Sequence, residues 1–190
     1  MGERNSEYVR DEHDWYVEPE WCVTSLLYNE KFTGAVHDPC CGMGTIPHAV
    51  NALNFALGAA HVATGSDLVD RGYGFPQRDF LKDKTTYDNI ITNPPYKIAA
   101  TVVDHALKHV RGKVAALVQL KFLAAQRRYG LFSHAHMSGV YIFSRRPSMP
   151  PGEMLRKVGE DCRGGGSIDY CWCVWDRAAP PVPPTIHWLR

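Results

Sequence analysis

Strand-like and helix-like segments alternate along most of this chain, and this alternation restricts the possible folds more than any other feature. Residues 113–120, KVAALVQL, form a continuous apolar run typical of a strand that is buried on both faces. Residues 98–110 instead carry their apolar residues at helical spacing. The alternation predicts an α/β fold with a mainly parallel sheet. The other strand-like segments are residues 34–38, 61–67, 87–92, 139–146 and 169–176.

The length of 190 residues favours a single domain. We expect a flexible acidic lead-in at 1–14, one domain at 15–176 and an extended Pro-rich tail at 177–190. Residues 147–168 are rich in Pro, Gly and charge and are predicted to be a long loop, so the strands on either side of it are expected to form an antiparallel pair at one edge.

The location of the protein is predicted from what its sequence lacks. No apolar run approaches the roughly 20 residues that a membrane-spanning helix needs. The first residues, MGERNSEYVRDEHDWY, are polar and acidic, unlike a secretory signal. We therefore expect a cytoplasmic protein without membrane association.

A glycine-containing turn, His37-Asp38-Pro39-Cys40-Cys41-Gly42-Met43-Gly44-Thr45, directly follows the first predicted strand and precedes a helix-like stretch. Glycines at such a turn let the backbone approach a ligand closely, and the N-terminus of the following helix favours a carboxylate or phosphate. The full G-x-G-x-x-G pattern of a dinucleotide site is not present, because Pro47 occupies the third glycine position.

A second motif, Asn93-Pro94-Pro95-Tyr96, follows the strand-like residues 87–92. In α/β sheets, ligands bind beyond the carboxyl ends of the strands, which is where Asn93 is expected. The Asn93 oxygen and a nearby backbone carbonyl can accept both hydrogens of a planar amino group. Tyr96 can stack on the plane that carries this amino group.

Together, the two motifs resemble those of class I S-adenosylmethionine-dependent methyltransferases that act on amino nitrogens. These include adenine methyltransferases of DNA and RNA and glutamine methyltransferases of proteins. The chain length and the segment S-R-R-P-S-M-P (144–150) resemble small stand-alone adenine-specific enzymes of phage and prophage type. The resemblance implies a three-layer Rossmann-like sandwich with a seven-stranded, mainly parallel sheet whose last strand is antiparallel.

The resemblance also implies where S-adenosylmethionine would bind and which residues would act on the acceptor. The catalytic loop would be Asn93, Pro94, Pro95 and Tyr96. Asp67 would hold the ribose hydroxyls, with Asp70 as the rival for this role, and Asp79 and Phe80 would hold the adenine ring. The other expected cofactor contacts are Tyr16, Pro19, Trp21, Asp38, Pro39, Gly42, Gly44, Thr45 and Asn93.

Charge is distributed unevenly along the chain. Residues 1–96 carry 7 Lys and Arg against 14 Asp and Glu, whereas residues 97–163 carry 12 against 4. A basic region of this kind favours a polyanionic partner, although a solvated surface would look the same. The candidates for phosphate contact are Lys97, Lys121, Arg127, Arg128, Arg145 and Arg146.

The six cysteines do not form any C-x-x-C pair, so we interpret them as packing residues and expect no metal site.

The leading functional hypothesis is methylation of the exocyclic amino group of adenine in nucleic acid, with DNA favoured. RNA adenine, a protein glutamine amide and a non-catalytic binding module with the same fold remain alternatives, and a zinc-binding interaction domain is a more distant one. Only 25 residues separate Asp67 from Asn93, which leaves no room for a target-recognition region, so a partner protein could supply it.

Overall fold

The computed structural model describes residues 14–133, 136–180 and 182–190. The predicted lead-in therefore lies outside the described residues, except for Asp14. Within the described residues, seven strands form one sheet in the order β2-β1-β3-β4-β6-β5-β7. The strands are β1 (Val36–Asp38), β2 (Ala63–Gly65), β3 (Asn89–Thr92), β4 (Lys113–Gln119), β5 (Met137–Phe143), β6 (Tyr170–Asp176) and β7 (Thr185–Leu189).

Helices cover both faces of the sheet. One face packs against α1 (Glu20–Asn29) and α2 (Thr45–Ala56), and the other packs against α3 (Ala99–Lys108). The apolar residues of α3 lie at helical spacing, and Val102, Val103 and Ala106 are buried, as this periodicity predicts. The short helix α4 (Tyr129–Ser133) precedes β5. The arrangement is a three-layer α/β sandwich, which confirms the predicted fold class.

The sheet is parallel except at β6. Strands β1, β2, β3 and β4 pair in parallel, whereas β6 is antiparallel to both β4 and β5. The strand predicted at 169–176 is therefore the antiparallel one. It forms the predicted antiparallel pair with β5, but this pair does not lie at an edge, because β7 pairs with the other side of β5. Since β6 runs opposite to β4, its first residue, Tyr170, pairs with Gln119, the last residue of β4.

Two segments that were predicted to be irregular contain regular structure. Helix α5 (Gly152–Val158) lies within the predicted loop 147–168, and it is too short for helical periodicity to show. Strand β7 lies within the predicted tail 177–190 and pairs in parallel with β5. The sheet therefore extends beyond residue 176, the predicted end of the domain. Residues 180–184 include four prolines, and this composition favoured the prediction of an irregular tail over that of a short strand.

Candidate active site

A cavity of about 380 Å³ lies beyond the carboxyl ends of β1, β2 and β3. This is the position that α/β sheets use for ligands, because the loops after the parallel strands diverge there. Its size falls within the range of small-molecule sites. Eight of the twelve predicted cofactor contacts line it: Tyr16, Pro39, Gly42, Thr45, Asp67, Asp79, Phe80 and Asn93.

The turn after β1 is held by its own polar groups. The carboxylate of Asp38 accepts a hydrogen bond of 3.0 Å from the Cys40 N–H, and Asp38 itself is 1% exposed. Gly42 and Gly44 have φ angles of 50° and 86°, which favour glycine, and α2 begins directly afterwards at Thr45. Gly42 and Thr45 line the cavity, whereas Asp38 and Gly44, which were also predicted to contact the cofactor, do not.

Asp67 joins the turn after β2 to the turn after β1. Its Oδ2 accepts a hydrogen bond of 2.9 Å from the Gly42 N–H, and its Oδ1 accepts one of 3.0 Å from the Val69 N–H. A carboxylate has about four acceptor positions, so it can still accept hydrogen bonds from a ligand hydroxyl. The rival Asp70 is exposed, caps the Gly72 N–H and does not line the cavity. The geometry thus favours Asp67.

Asp79 and Phe80 form another wall of the cavity. Asp79 accepts a hydrogen bond of 3.1 Å from the Leu81 N–H and pairs with Lys82 at 3.0 Å. Phe80 is buried, and its ring meets His105 edge to face at 4.8 Å. A carboxylate beside an apolar ring suits a planar heterocycle that carries an amino group.

The segment Trp15–Glu18, here called the N-terminal strap, closes the cavity from the other side. It pairs with the chain near α5, because the Val17 N–H donates to the Pro150 oxygen and the Gly152 N–H donates to the Trp15 oxygen, both at 3.0 Å. The Trp15 indole is buried and contacts two guanidinium groups, with Arg71 at 3.9 Å and Arg156 at 4.8 Å from a ring centroid.

Asn93 is bound to the N-terminal strap by both hydrogens of its amide. Its Nδ2 donates to the Tyr16 backbone oxygen and to Glu18 Oε2, each at 2.8 Å. Asn93 follows the last residue of β3, so the sheet fixes its backbone while the strap fixes its side chain. Its remaining polar atom, Oδ1, is left to accept hydrogen bonds.

Glu18 lines the cavity and is only 6% exposed. Burial raises the pKa of its carboxyl to about 7, against the opposing effects of the Asn93 hydrogen bond and the Arg163 charge. Burial and the nearby Glu18 carboxyl likewise raise the pKa of Asp38 well above its usual range. Glu18 is not among the site residues predicted from the sequence. The available signal was an acid next to Pro19 in the segment that was already expected to cover the cofactor.

A second cavity, of about 480 Å³, adjoins the first and shares Asp14, Tyr16 and Lys97 with it. Its walls include three tyrosines: Tyr16 and Tyr96 are stacked with centroids 5.9 Å apart, and Tyr96 and Tyr170 are also 5.9 Å apart. Gln119 lies beside Tyr170 because the two residues pair across β4 and β6. Lys97 and Lys121, here called the basic rim, also line this cavity. An aromatic cavity with one amide and a basic rim suits a planar polar ring.

The remaining residues of the predicted loop and strap have different positions. Pro95 lines the first cavity and Tyr96 the second, while Pro94 is buried and lines neither. Pro19 is the residue that precedes α1 and does not line the first cavity. Trp21 also lies away from it, packed edge to face on Phe143 at 5.2 Å, because the apolar face of α1 turns it toward the sheet.

The six candidate phosphate-binding residues do not form one surface. Lys97 and Lys121 are exposed and lie at the second cavity. Arg128 donates hydrogen bonds to the Phe122 and Lys121 oxygens, Arg146 pairs with Asp169 at 2.7 Å, and Arg145 lies over the Trp21 ring. Arg127 is exposed and lines neither cavity. Lys97 and Lys121 are therefore the two that lie at a cavity, and Lys97 also pairs with Asp14 at 3.7 Å, so Lys121 is the better placed to meet a bound polymer.

All six cysteines lie within the described residues and are free thiols. Cys40 and Cys41 line the first cavity, and burial raises the pKa of both thiols, so they are poor nucleophiles. Among the described residues, no group of three or more His, Cys, Asp or Glu side chains is arranged to hold a metal ion. In the same part of the chain, no helix is long and apolar enough to cross a membrane.

The fold is similar to that of solved methyltransferases. A candidate class I S-adenosylmethionine-dependent methyltransferase from Listeria monocytogenes matches with a TM-score of 0.65 at 14% identity, over 96% of this chain and 68% of that protein. A modification subunit of a candidate type I restriction enzyme from Vibrio vulnificus matches with a TM-score of 0.59 at 14% identity, over 91% of this chain. A candidate RNA methyltransferase from Pyrococcus horikoshii matches with a TM-score of 0.55 at 14% identity, over 83% of this chain and 80% of that protein.

This chain spans 46% of the length of the Vibrio subunit, so it corresponds to about half of that protein. No family model and no curated protein matches the sequence. At these identities, the similarity establishes the class I methyltransferase fold.

Proposed function

We propose that this protein transfers a methyl group from S-adenosylmethionine to the exocyclic amino group of adenine in nucleic acid, with DNA as the favoured polymer. The observation that carries this proposal is the fixed amide of Asn93 at the carboxyl end of β3, in the wall of the first cavity and bound to Tyr16, which lines both cavities. An amide whose two hydrogens are already bound presents an oxygen, which is the atom needed to accept a hydrogen from an amino group.

The first cavity fits the cofactor by the chemistry of its walls. Asp67 offers free acceptor positions for ribose hydroxyls, and Asp79 with Phe80 suits an adenine ring that carries an amino group. When bound, the cofactor would supply an electrophilic methyl group on a sulfonium. The buried carboxyl of Glu18 lies in the wall of the same cavity.

The second cavity is the proposed acceptor site. An adenine inside a duplex cannot reach such a cavity, so the target would be flipped out or already single-stranded. The rings of Tyr16, Tyr96 and Tyr170 offer stacking surfaces for the base, and Lys97 and Lys121 are placed to contact its phosphates. Asn93 and the loop that follows it would hold the amino nitrogen, so catalysis would consist largely of positioning and electrostatic stabilisation.

The basic rim favours nucleic acid over a protein glutamine amide, because a neutral peptide acceptor would gain little from it. The described residues do not include a separate region for sequence recognition between Asp67 and Asn93. We therefore propose either low sequence specificity or a partner protein that recognises the target.

The proposal is tested by incubating the protein with methyl-labelled S-adenosylmethionine and, separately, duplex DNA, single-stranded DNA, RNA or a protein extract. The methylated species is then identified by mass after digestion. We expect methyladenine in DNA, and its loss in Asn93→Ala while cofactor binding is mostly retained. Label on RNA adenine or on protein glutamine would replace the proposed acceptor. Cofactor binding without transfer to any polymer would instead support a non-catalytic binding module.

A further inference from the structure

We propose that Glu18 is a positioning residue that holds the Asn93 amide with its oxygen available to the acceptor amino group. This inference rests on the proposed function and assigns to the N-terminal strap a part in acceptor recognition as well as in covering the cofactor. Glu18 and Asn93 are 75 positions apart in the chain, so the contact exists only because the strap folds over the end of β3.

The orientation of the amide follows from the chemistry of its two partners. Asn93 Nδ2 lies 2.8 Å from the Tyr16 backbone oxygen and 2.8 Å from Glu18 Oε2. The Tyr16 carbonyl can only accept, and the Glu18 carboxyl can only accept when it is ionised. With the carboxylate ionised, turning the amide by 180° would point Oδ1 at two acceptor oxygens and leave both without a donor, which is costly beside the buried Glu18 side chain.

Of the two partners, Glu18 is the one that fixes the plane of the Asn93 amide. The Tyr16 carbonyl accepts one amide hydrogen, but with that bond alone the other hydrogen has no protein partner and the side chain is held at a single point. Glu18 supplies the second point, and the bond is charge-assisted when the carboxyl is ionised. Two fixed hydrogens define the plane of the amide, and therefore the direction from which Oδ1 can accept a hydrogen.

The position of Glu18 is itself fixed by the strap and by Arg163. The Arg163 guanidinium donates hydrogen bonds to the Val17 and Ser148 oxygens at 2.8 and 2.9 Å. It also donates a longer bond of 3.4 Å to the Glu18 backbone oxygen. These bonds join the end of the strap to the loop before α5. The buried Glu18 carboxyl, which desolvation disfavours as an anion, is thus held against Asn93 by groups on a different part of the chain.

The variants Glu18→Leu and Glu18→Gln separate a positioning role from a role that needs the charge. Leucine cannot accept a hydrogen bond, whereas the side-chain oxygen of glutamine can accept the same one from Asn93. Each variant is compared with Glu20→Leu, which removes an exposed carboxyl two residues away. The quantities measured are kcat for methyl transfer and the Kd for S-adenosylmethionine by calorimetry.

We expect Glu18→Leu to lower kcat by roughly 10- to 100-fold, the range for loss of one hydrogen bond to a charged group. Since Glu18 also lines the first cavity, the cofactor Kd can change as well, but by a smaller factor than kcat, because the Asn93 amide is the group that loses its partner. Glu18→Gln should remain within about fivefold of the wild-type kcat, the loss that removal of the charge alone would cause. Equal losses in both variants would overturn the proposal and assign Glu18 a role that requires its charge. An unchanged kcat in Glu18→Leu would overturn it as well.

Side-chain amide NMR gives a readout that does not depend on activity. Asn93→Asp identifies the Asn93 NH2 signals by their disappearance. In the wild-type protein these two protons should exchange slowly with water, and in Glu18→Leu one of them should exchange faster.

If the protein methylates none of the polymers but this change is seen, the proposed function fails while the positioning contact stands. If the exchange is unaffected in Glu18→Leu, the proposal is wrong whatever the acceptor is. Should Glu18→Leu not fold, Glu18→Asp withdraws the carboxylate by one methylene and should show the same faster exchange.

Discussion

The backbone N–H of Gly42 donates a hydrogen bond of 2.9 Å to Oδ2 of Asp67, so the turn after β1 and the turn after β2 are joined at the wall of the first cavity. The two residues are 25 positions apart, and the parallel pairing of β1 with β2 brings them together. Asp67 therefore shapes the cavity in addition to lining it.

Asp67→Ala should weaken the binding of S-adenosylmethionine by roughly 10- to 100-fold, because it removes a charged acceptor from the cavity and frees the Gly42 N–H. Isothermal titration calorimetry measures the change. The matched control is Asp70→Ala, which removes an exposed carboxyl three residues away and should leave the Kd within about twofold. A larger loss in Asp70→Ala than in Asp67→Ala would reverse the assignment between the two acids.

Gly152→Ala should displace the N-terminal strap. An added Cβ would lie 2.1 to 2.4 Å from three atoms of the Trp15 ring, which is far below van der Waals contact. Since the strap lines the cavity, we expect cofactor affinity to fall about tenfold, in line with typical overpacking costs. Gly130→Ala is the control, because a Cβ there meets nothing within 4 Å. Equal cofactor affinity in the two variants would show that the strap does not contribute to binding.

Lys121→Gln should weaken the binding of a nucleic acid roughly equally across sequences and should reduce the slope of log K against log salt by about 1. The measurement is fluorescence anisotropy with a labelled oligonucleotide at several salt concentrations. Lys108→Gln removes a lysine that pairs with Asp104 on α3 at 2.6 Å and that lines neither cavity. If both variants behaved alike, the second cavity would not be the place where the polymer binds.

The stability of the fold should depend on pH through His37. This side chain is buried in β1, with Nδ1 2.9 Å from Thr64 Oγ1 and Nε2 3.0 Å from Ser66 Oγ, and its ring stacks on Tyr87 at 4.4 Å. Burial, with a smaller contribution from Arg78, lowers its pKa from 6.5 to about 4. The unfolded chain therefore binds more protons between these two values, and the stability that His37 contributes is full above pH 6.5 and is lost as the pH falls toward 4.

Urea unfolding of the wild-type protein and of His37→Gln is measured at pH 7 and at pH 4.5. The raised pKa values of Glu18 and Asp38 add stability as the pH falls, opposite in sign to His37, but they do so in both proteins. The difference between the two proteins therefore reports on His37: on going from pH 7 to pH 4.5, the wild-type protein should lose on the order of 2 kcal/mol relative to His37→Gln. Identical changes in the two proteins would show that His37 takes up no additional proton on unfolding in this range.

Most of the cofactor contacts predicted from the sequence line the cavity, because several of them lie directly after strands. In a parallel sheet, the carboxyl ends of neighbouring strands meet at one edge, so local patterns around Gly42, Asp67 and Asn93 are sufficient to bring these residues together. Asp79 and Phe80 reach the same edge of the sheet because they belong to the loop that connects the end of β2 to β3. These expectations needed only the direction of the strands and not the details of packing.

Other features depended on contacts between distant parts of the chain. Trp21 is in the segment that was expected to touch the cofactor, but the apolar face of α1 turns it onto Phe143. Strand β7 exists because β5 offers it an edge to pair with, and its own five residues carry too weak a pattern to predict it. Arg128 and Arg146 bind groups within the protein, although their charge had suggested a polymer contact.

The sequence by itself determined six of the seven strands described, the α/β class and the places where turns follow strands, because these depend on short-range periodicity and turn chemistry. Only the tertiary structure decided that the N-terminal strap crosses the end of β3 and that Glu18 and the Tyr16 carbonyl bind the two hydrogens of Asn93. The physical reason is that a hydrogen bond between residues 75 or more positions apart depends on how the strap, the loop before α5 and the sheet pack together, and no local pattern in the sequence encodes that packing.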